Sequence, residues 1–226
     1  MRTGLLFLAI PVALGIASGV FVSQAYNEFS AGGARDAGAG PVLTASVLTA
    51  GGSPALGDAA AEVTMVEWGD YQCTYCYLFH NGTLQHIKDS YVETGKVRLV
   101  FKDFALNGPD SALAAEASRC AAEQSGYWKY HDMLYRNWGG EKTGWITAEA
   151  LGTFAESAGL DVQEFEGCME SERHRGAVAE SYRAGQDIGV DATPSFMVFD
   201  DKNVVKIRGN QPQGVFVSAI EELLQN

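Results

Sequence analysis

A chain of 226 residues that is 46% apolar can bury an ordinary hydrophobic core, which excludes a disulfide-stapled miniprotein. Its formal net charge of −12 argues against nucleic acid or an anionic membrane surface as the main partner. The length suits one domain with an appendage.

The appendage comes first. No charged residue lies between Thr3 and Asn27, and Gly4 to Val22 is a nearly unbroken apolar run. About 19 such residues, at about 1.5 Å each, just cross a hydrocarbon core of roughly 30 Å. Arg2 on the N-terminal side orients the chain with its N-terminus inside and the remainder outside. Ser23-Gln24-Ala25 is an acceptable small-x-small cleavage site, so residues 1–26 are read as a membrane anchor or a signal segment, with the uncleaved anchor preferred. Both place the rest of the chain in the same extracytoplasmic compartment. Residues 27–59, rich in Gly, Ala, Ser and Thr, read as a flexible tether. The folded domain is expected over 60–226.

Glu62 to Trp68 is short and β-rich, a buried strand by pattern. Cys73-Thr74-Tyr75-Cys76 follows it directly, then a helix from Tyr77 to Tyr91 and a second strand from Lys96 to Phe104. A helical insertion spans about 107–189. Asp110 or Ser111 caps Ala112–Gln124, Trp128 to Trp138 is aromatic and helical, and Thr147 caps a segment stopped by Gly159. Asp161-x-x-Glu164 resembles a capping box, and Ser171 to Ile188 is a longer, charged helix. Strands return at Ser195–Phe199 and Val204–Arg208 around an Asp200-Asp201-Lys202-Asn203 turn, and Pro212 opens a last helix.

A CxxC between a strand and a helix reads as redox-active. The free N–H groups and positive dipole end of that helix stabilise a thiolate, lowering the pKa of the first cysteine and improving it as nucleophile and leaving group. Cys73 is therefore expected to be the exposed attacker, and Cys76, one turn in, the buried resolving thiol. A zinc site would need a second close pair of ligands, which the chain lacks, and a bridge closing a two-residue loop would crosslink little. No metal and no cofactor are expected. Cys120 and Cys168 complete an even count, which in an oxidising compartment suggests a structural disulfide. Ala192-Thr193-Pro194-Ser195-Phe196 places a proline at the head of a strand; beside a CxxC in this strand order it looks like the cis-proline loop of thioredoxin folds. The backbone of Thr193 would then pair with an extended substrate. His80, His86, His131 and His174 are assigned to no catalysis, and the aromatic cluster from Tyr127 to Trp138 is read as core.

From about Ala60 onward the chain resembles the DsbA-like proteins of the thioredoxin superfamily. The resemblance rests on Val66-Glu67-Trp68 before the CxxC, Phe101-Lys102-Asp103-Phe104, Ser118-Arg119-Cys120-Ala121-Ala122, Trp128-Lys129-Tyr130-His131-Asp132 and Gly189-Val190-Asp191-Ala192-Thr193-Pro194. It implies an α/β thioredoxin fold with an inserted helical domain, Cys73 as nucleophile, Cys76 as resolving cysteine and Pro194 as the cis-proline. Thr74, Tyr75 and Thr193 would meet the substrate. Glu67 matches a buried acid that moves protons near the second thiol. The lysine that accompanies this acid in DsbA has no counterpart, Leu99 falling in its place, and Arg98 or Lys102 is the expected substitute. Thr74-Tyr75 replaces a pair containing a histidine, which implies a less acidic Cys73 and a milder oxidant. Reduced, unfolded proteins are the implied substrates, with a membrane quinone reductase of the DsbB or VKOR type as reoxidising partner and a monomer as the working form. An isomerase or reductase, or a thioredoxin-fold chaperone with a merely structural CxxC, are the alternatives.

Overall fold

The computed structural model describes residues 43–225, so the apolar run of 1–26 and the first part of the expected tether lie outside the described residues. Among the described residues no helix is long and apolar enough to cross a membrane.

Four strands form one sheet in the order β2-β1-β3-β4: β1 (Val63–Gly69), β2 (Val97–Asp103), β3 (Ser195–Phe199) and β4 (Val204–Arg208). β1 and β2 are parallel, with Glu67 opposite Phe101. β3 runs antiparallel to β1, with Glu67 opposite Phe196, and β4 antiparallel to β3. Every side chain of β1 is buried, which requires cover on both faces. On one face Val63, Met65, Leu99, Phe196 and Val198 pack under Phe79, Ile87, Phe216 and Ile220. On the other, Val66, Trp68, Val100, Met197 and Phe199 pack with Leu48, Phe104 and Val190.

The folded part starts before Ala60. A short helix, α1 (Ala45–Thr49), is capped by the Thr44 hydroxyl and sends Leu48 fully into the core. The chain then runs along the free edge of β2. The Ser53 amide donates to the Phe101 carbonyl at 2.8 Å, and Leu56 and Leu99 exchange two backbone hydrogen bonds, each 2.8 Å. This segment covers an edge that would otherwise template another strand. The expectation of a tether reaching residue 59 is corrected accordingly: two leucines among small residues suffice to dock it.

The helix after β1 begins earlier than its apolar pattern suggests and is broken. α2 (Thr74–Asn81) takes Cys73 as its N-cap, ends at Gly82 (φ −121°, ψ −97°), and is followed by α3 (Thr83–Ile87) and a π-helical turn over Lys88–Val92. After β2 the insertion comprises α4 (Pro109–Glu123), α5 (Tyr127–Arg136), α6 (Ala148–Ser157), α7 (Val162–Glu170) and α8 (Arg175–Asp187). α9 (Gln213–Leu223), with Pro212 as N-cap, closes the fold.

Thr147 caps α6 as expected, accepting from the Ala150 amide. Two other capping expectations are corrected. α4 has Gly108 as N-cap and Pro109 at its first turn, while the Ser111 hydroxyl donates to Asp70. Only half of the Asp161/Glu164 box forms: Asp161 accepts from the Glu164 amide at 2.9 Å, but its own N–H donates to Gln124 Oε1 on α4. α8 starts at Arg175 and not at Ser171, because Glu172 takes a left-handed φ of 48° that a helix cannot accommodate.

α8 lies on the sheet at Gly185, where a Cβ would come within 2.8 Å of the Phe104 ring and 3.0 Å of Trp68. Tyr130, Leu134, Leu151, Ala155 and Phe165 of the insertion pack in a core that also takes in Tyr71, Cys73, Cys76 and Phe101. A disulfide joins Cys120 on α4 to Cys168 on α7, with Cα atoms 5.8 Å apart. His174 lies beside these sulfurs, but neither sulfur carries a thiolate while bonded to the other, so the trio offers no metal site in this form.

Candidate active site

The end of β1, the start of α2 and the loop before β3 converge where the sheet meets the insertion. Cys73 and Cys76 are free thiols. Both are buried: Cys76 completely, and Cys73 to 5% exposure, which corrects the expectation of an openly exposed attacker. The Thr193–Pro194 peptide bond is cis, and the Thr193 carbonyl accepts from Cys73 Sγ at 3.4 Å. The backbone group expected to meet substrate is thus held by the thiol itself, and Thr193 is buried. Thr74 is half-buried, while Tyr75 is 61% exposed beside exposed Leu78.

The two thiols are electrostatically unlike. Cys73 is lowered to about 7 from an ordinary thiol value of 9.0, chiefly by a hydrogen bond from Cys76, and also by Thr193 and the Cys76 and Tyr75 amides. Cys76 moves well upward through burial first, then through its bond to Cys73 and the charges of Cys73 and Glu67. Glu67 is only 2% exposed, and burial followed by the proximity of Cys73 raises its carboxyl well above the usual range. Gly69 keeps this corner tight: a Cβ there would meet the Phe101 ring at 2.4 Å and Glu67 Oε1 at 3.2 Å.

The expected substitutes for the missing lysine do not reach Glu67. Lys102 pairs with Trp68 and Arg98 with Thr64, so both project from the opposite face of the sheet. Lys102, 1% exposed, donates to the Ala50 carbonyl at 2.7 Å and lies over the Trp68 ring, while Arg98 donates to Thr64. The side chain that takes up position near the thiols is Tyr135 of α5. Its hydroxyl donates to the Asp70 carbonyl at 3.4 Å, and burial, then the charges of Cys76 and Glu67, push its pKa well up.

Sequence reasoning missed the framework of the motif. Buried Asp70 accepts from the Gln72 amide (2.8 Å) and the Ser111 hydroxyl (2.7 Å) with one oxygen, and from the Leu106 and Asn107 amides (both 2.7 Å) with the other. Gln72 in turn donates to Ser111 at 2.8 Å and accepts from the Lys142 amide at 2.9 Å. Trp138 stacks on Tyr77 and donates to the Gln72 carbonyl. The one local cue was an aspartate three residues before the first cysteine; apart from the Gln72 amide, its partners lie too far along the chain for spacing to expose them. The aromatic cluster of α5 is core, as expected, and buried His131 meets the Tyr71 hydroxyl at 3.1 Å through Nδ1.

A low-pKa thiol at a helix N-terminus, a buried partner thiol one turn on and a cis-proline loop against them define a thiol–disulfide exchange centre on a thioredoxin fold. Comparison with known proteins specifies the class. A family model described as Thioredoxin matches residues 49–222. Disulfide bond formation protein D of Bacillus subtilis is 28% identical over 152 residues, covering 66% of this chain and 68% of that one. The crystal structure of oxidised BdbD from Bacillus subtilis superposes with a TM-score of 0.70 at 26% identity, covering 77% of this chain and 94% of its own. Wolbachia pipientis α-DsbA1 gives a TM-score of 0.68 at 25% identity, covering 76% and 90%. The chain belongs to the thioredoxin family, as a protein-disulfide oxidoreductase of the DsbA type.

Proposed function

We propose that this protein is an extracytoplasmic disulfide oxidase that donates a Cys73–Cys76 disulfide to secreted or membrane proteins. The observation that carries the chemistry is the split within the pair, Cys73 lowered to about 7 and Cys76 pushed well up. The direction is supported by relatives named for disulfide bond formation.

In the reaction, a client thiolate attacks Cys73 Sγ of the disulfide. The Cys73–Cys76 bond breaks, and Cys76 leaves as a thiolate that is protonated at once because burial disfavours its charge. Glu67, held toward its protonated form at the same place, is the group that supplies this proton. A second client thiolate then attacks the client sulfur of the mixed disulfide, and Cys73 leaves as the stabilised thiolate. The client gains one disulfide; the protein takes up its two electrons and becomes the dithiol. Regeneration passes those electrons to a membrane quinone reductase of the DsbB or VKOR type. Thr193, beside Pro194, offers its carbonyl to the client once Cys73 no longer occupies it, with Thr74 and Tyr75 flanking the cleft. The apolar run at 4–22 would hold the domain at the membrane, where such a partner resides.

A reductase or isomerase is the second reading, favoured by the moderate acidity of Cys73. Cys76→Ala separates both from a mere binding module. The account expects client proteins trapped on Cys73 in mixed disulfides, seen as reductant-sensitive bands on gels. A variant that traps no client in its own compartment would contradict exchange chemistry.

A further inference from the structure

The N-terminus of α2 presents three amides to two different acceptors. The Tyr75 and Cys76 amides favour the Cys73 thiolate electrostatically, without closing a cap hydrogen bond on the thiol. The Thr74 amide donates to Glu141 Oε1 at 2.8 Å, from the loop joining α5 to α6 in the insertion. No acidic residue lies in the first turn of α2 itself, and Cys73 makes no side-chain cap bond. The carboxylate that caps this helix therefore arrives from 67 residues away.

The contact belongs to a built loop. Trp138 stacks on Tyr77 with ring centroids 4.5 Å apart, and its Nε1 donates to the Gln72 carbonyl at 2.9 Å. The Lys142 amide donates to Gln72 Oε1 at 2.9 Å, directly after Glu141. Thr143 and Trp145 close the loop on the Gly139 and Gly140 carbonyls. Left-handed backbone at Gly140, Lys142 and Gly144 turns it back toward the motif. Glu141 is exposed, and its carboxylate is held by the Thr74 amide while the backbone on either side of it, the Gly140 carbonyl and the Lys142 amide, is hydrogen-bonded.

We propose that Glu141 is a positioning residue that sets the oxidising strength of the pair by competing with the Cys73 thiolate for the same helix N-terminus. An anion at this end is stabilised by the unpaired amides and the dipole, and a second anion there repels the first. In the disulfide form Cys73 carries no charge and Glu141 caps α2 unopposed. In the dithiol form the two anions share the end. Glu141 thus favours the disulfide over the thiolate and makes the protein a milder oxidant. Among the described residues, Cys76 on α2 and Glu67 on β1 also feel the charge of Cys73, and burial holds both toward their neutral forms.

The inference rests on Cys73 being the activated thiol, and the test separates the two. Thiolate absorbance of the reduced protein is titrated in wild type, Glu141→Gln, Thr74→Pro and the double variant. Proline is tolerated at the first helical position and removes the one N–H that Glu141 accepts, leaving the Tyr75 and Cys76 amides in place. Glu141→Gln should lower the Cys73 pKa by about half a unit. At a pH above that value, the equilibrium with glutathione should move about threefold toward the dithiol. The shift should shrink in the Thr74→Pro background, where the carboxylate has lost its anchor. A Cys73 pKa that stays level or rises in Glu141→Gln, or that falls equally with and without the Thr74 amide, overturns the role of Glu141. An ordinary thiol value in wild type overturns instead the assignment of Cys73.

Discussion

At the scale of single residues, the site is a set of acids and thiols whose ionisation is divided by position. Cys73 lies at the helix N-terminus and takes the charge; Cys76 and Glu67, more deeply buried, are driven toward their neutral forms by burial. This arrangement costs stability that pH can reveal. The folded pKa of Glu67 lies above its ordinary value of 4.5, so its contribution is fully present below that pH. It is lost as pH rises toward the folded value, at up to about 1.4 kcal/mol per unit. Glu67→Gln cannot ionise and escapes that loss. Urea titrations of the two proteins should therefore diverge in favour of the variant as pH rises above 4.5. Parallel stability profiles would show that Glu67 is not desolvated. The cysteines were legible from their spacing and Pro194 from its place at the head of a strand, whereas Glu67 was reached only through the resemblance to DsbA-like proteins. Glu141, Gln72 and Tyr135 were not, since each acts through a partner more than 60 residues away.

At the scale of elements, the active-site turn is held by a hydrogen-bonded hub. Asp70 ties the end of β1 to the loop after β2 and to α4 through four donors. Asp70→Ala strips all four of their acceptor and should cost about 3 kcal/mol, measured by denaturant unfolding, with slower alkylation of Cys73 as the turn loosens. A loss below about 1 kcal/mol would mean that water replaces the carboxylate freely. Strand limits were read well from the sequence, because β3 and β4 are bounded by turn residues and β1 is uniformly apolar but for Glu67 and Thr64. Helix starts were read less well. The side chains that looked like caps, Asp110 and Ser111, sit within α4, and Ser111 serves the site; Gly82 and Glu172 break helices through backbone angles that composition does not announce.

At the scale of the whole molecule, a parallel β1–β2 pair, a helical insertion and an antiparallel β3–β4 hairpin place sequence-distant residues around one pair of thiols. Their order along the chain was legible; the docking of residues 44–56 on β2 was not, because only Leu48 and Leu56 mark it against a background of small residues. The Cys120–Cys168 bridge spans 48 residues of the insertion. Replacing both cysteines by alanine should lower stability by up to about 4 kcal/mol while the thioredoxin sheet persists in circular dichroism. Unchanged unfolding would show that the bridge constrains nothing the insertion's core does not already hold. The central claim, that Cys73 and Cys76 deliver a disulfide, is tested most directly by their redox state in the producing cell, trapped by acid quench and read by thiol-specific gel shift. The account predicts a pair that is mainly oxidised and that becomes reduced when the membrane reoxidising partner is removed. A pair found mainly reduced at steady state, with that partner intact, would contradict it.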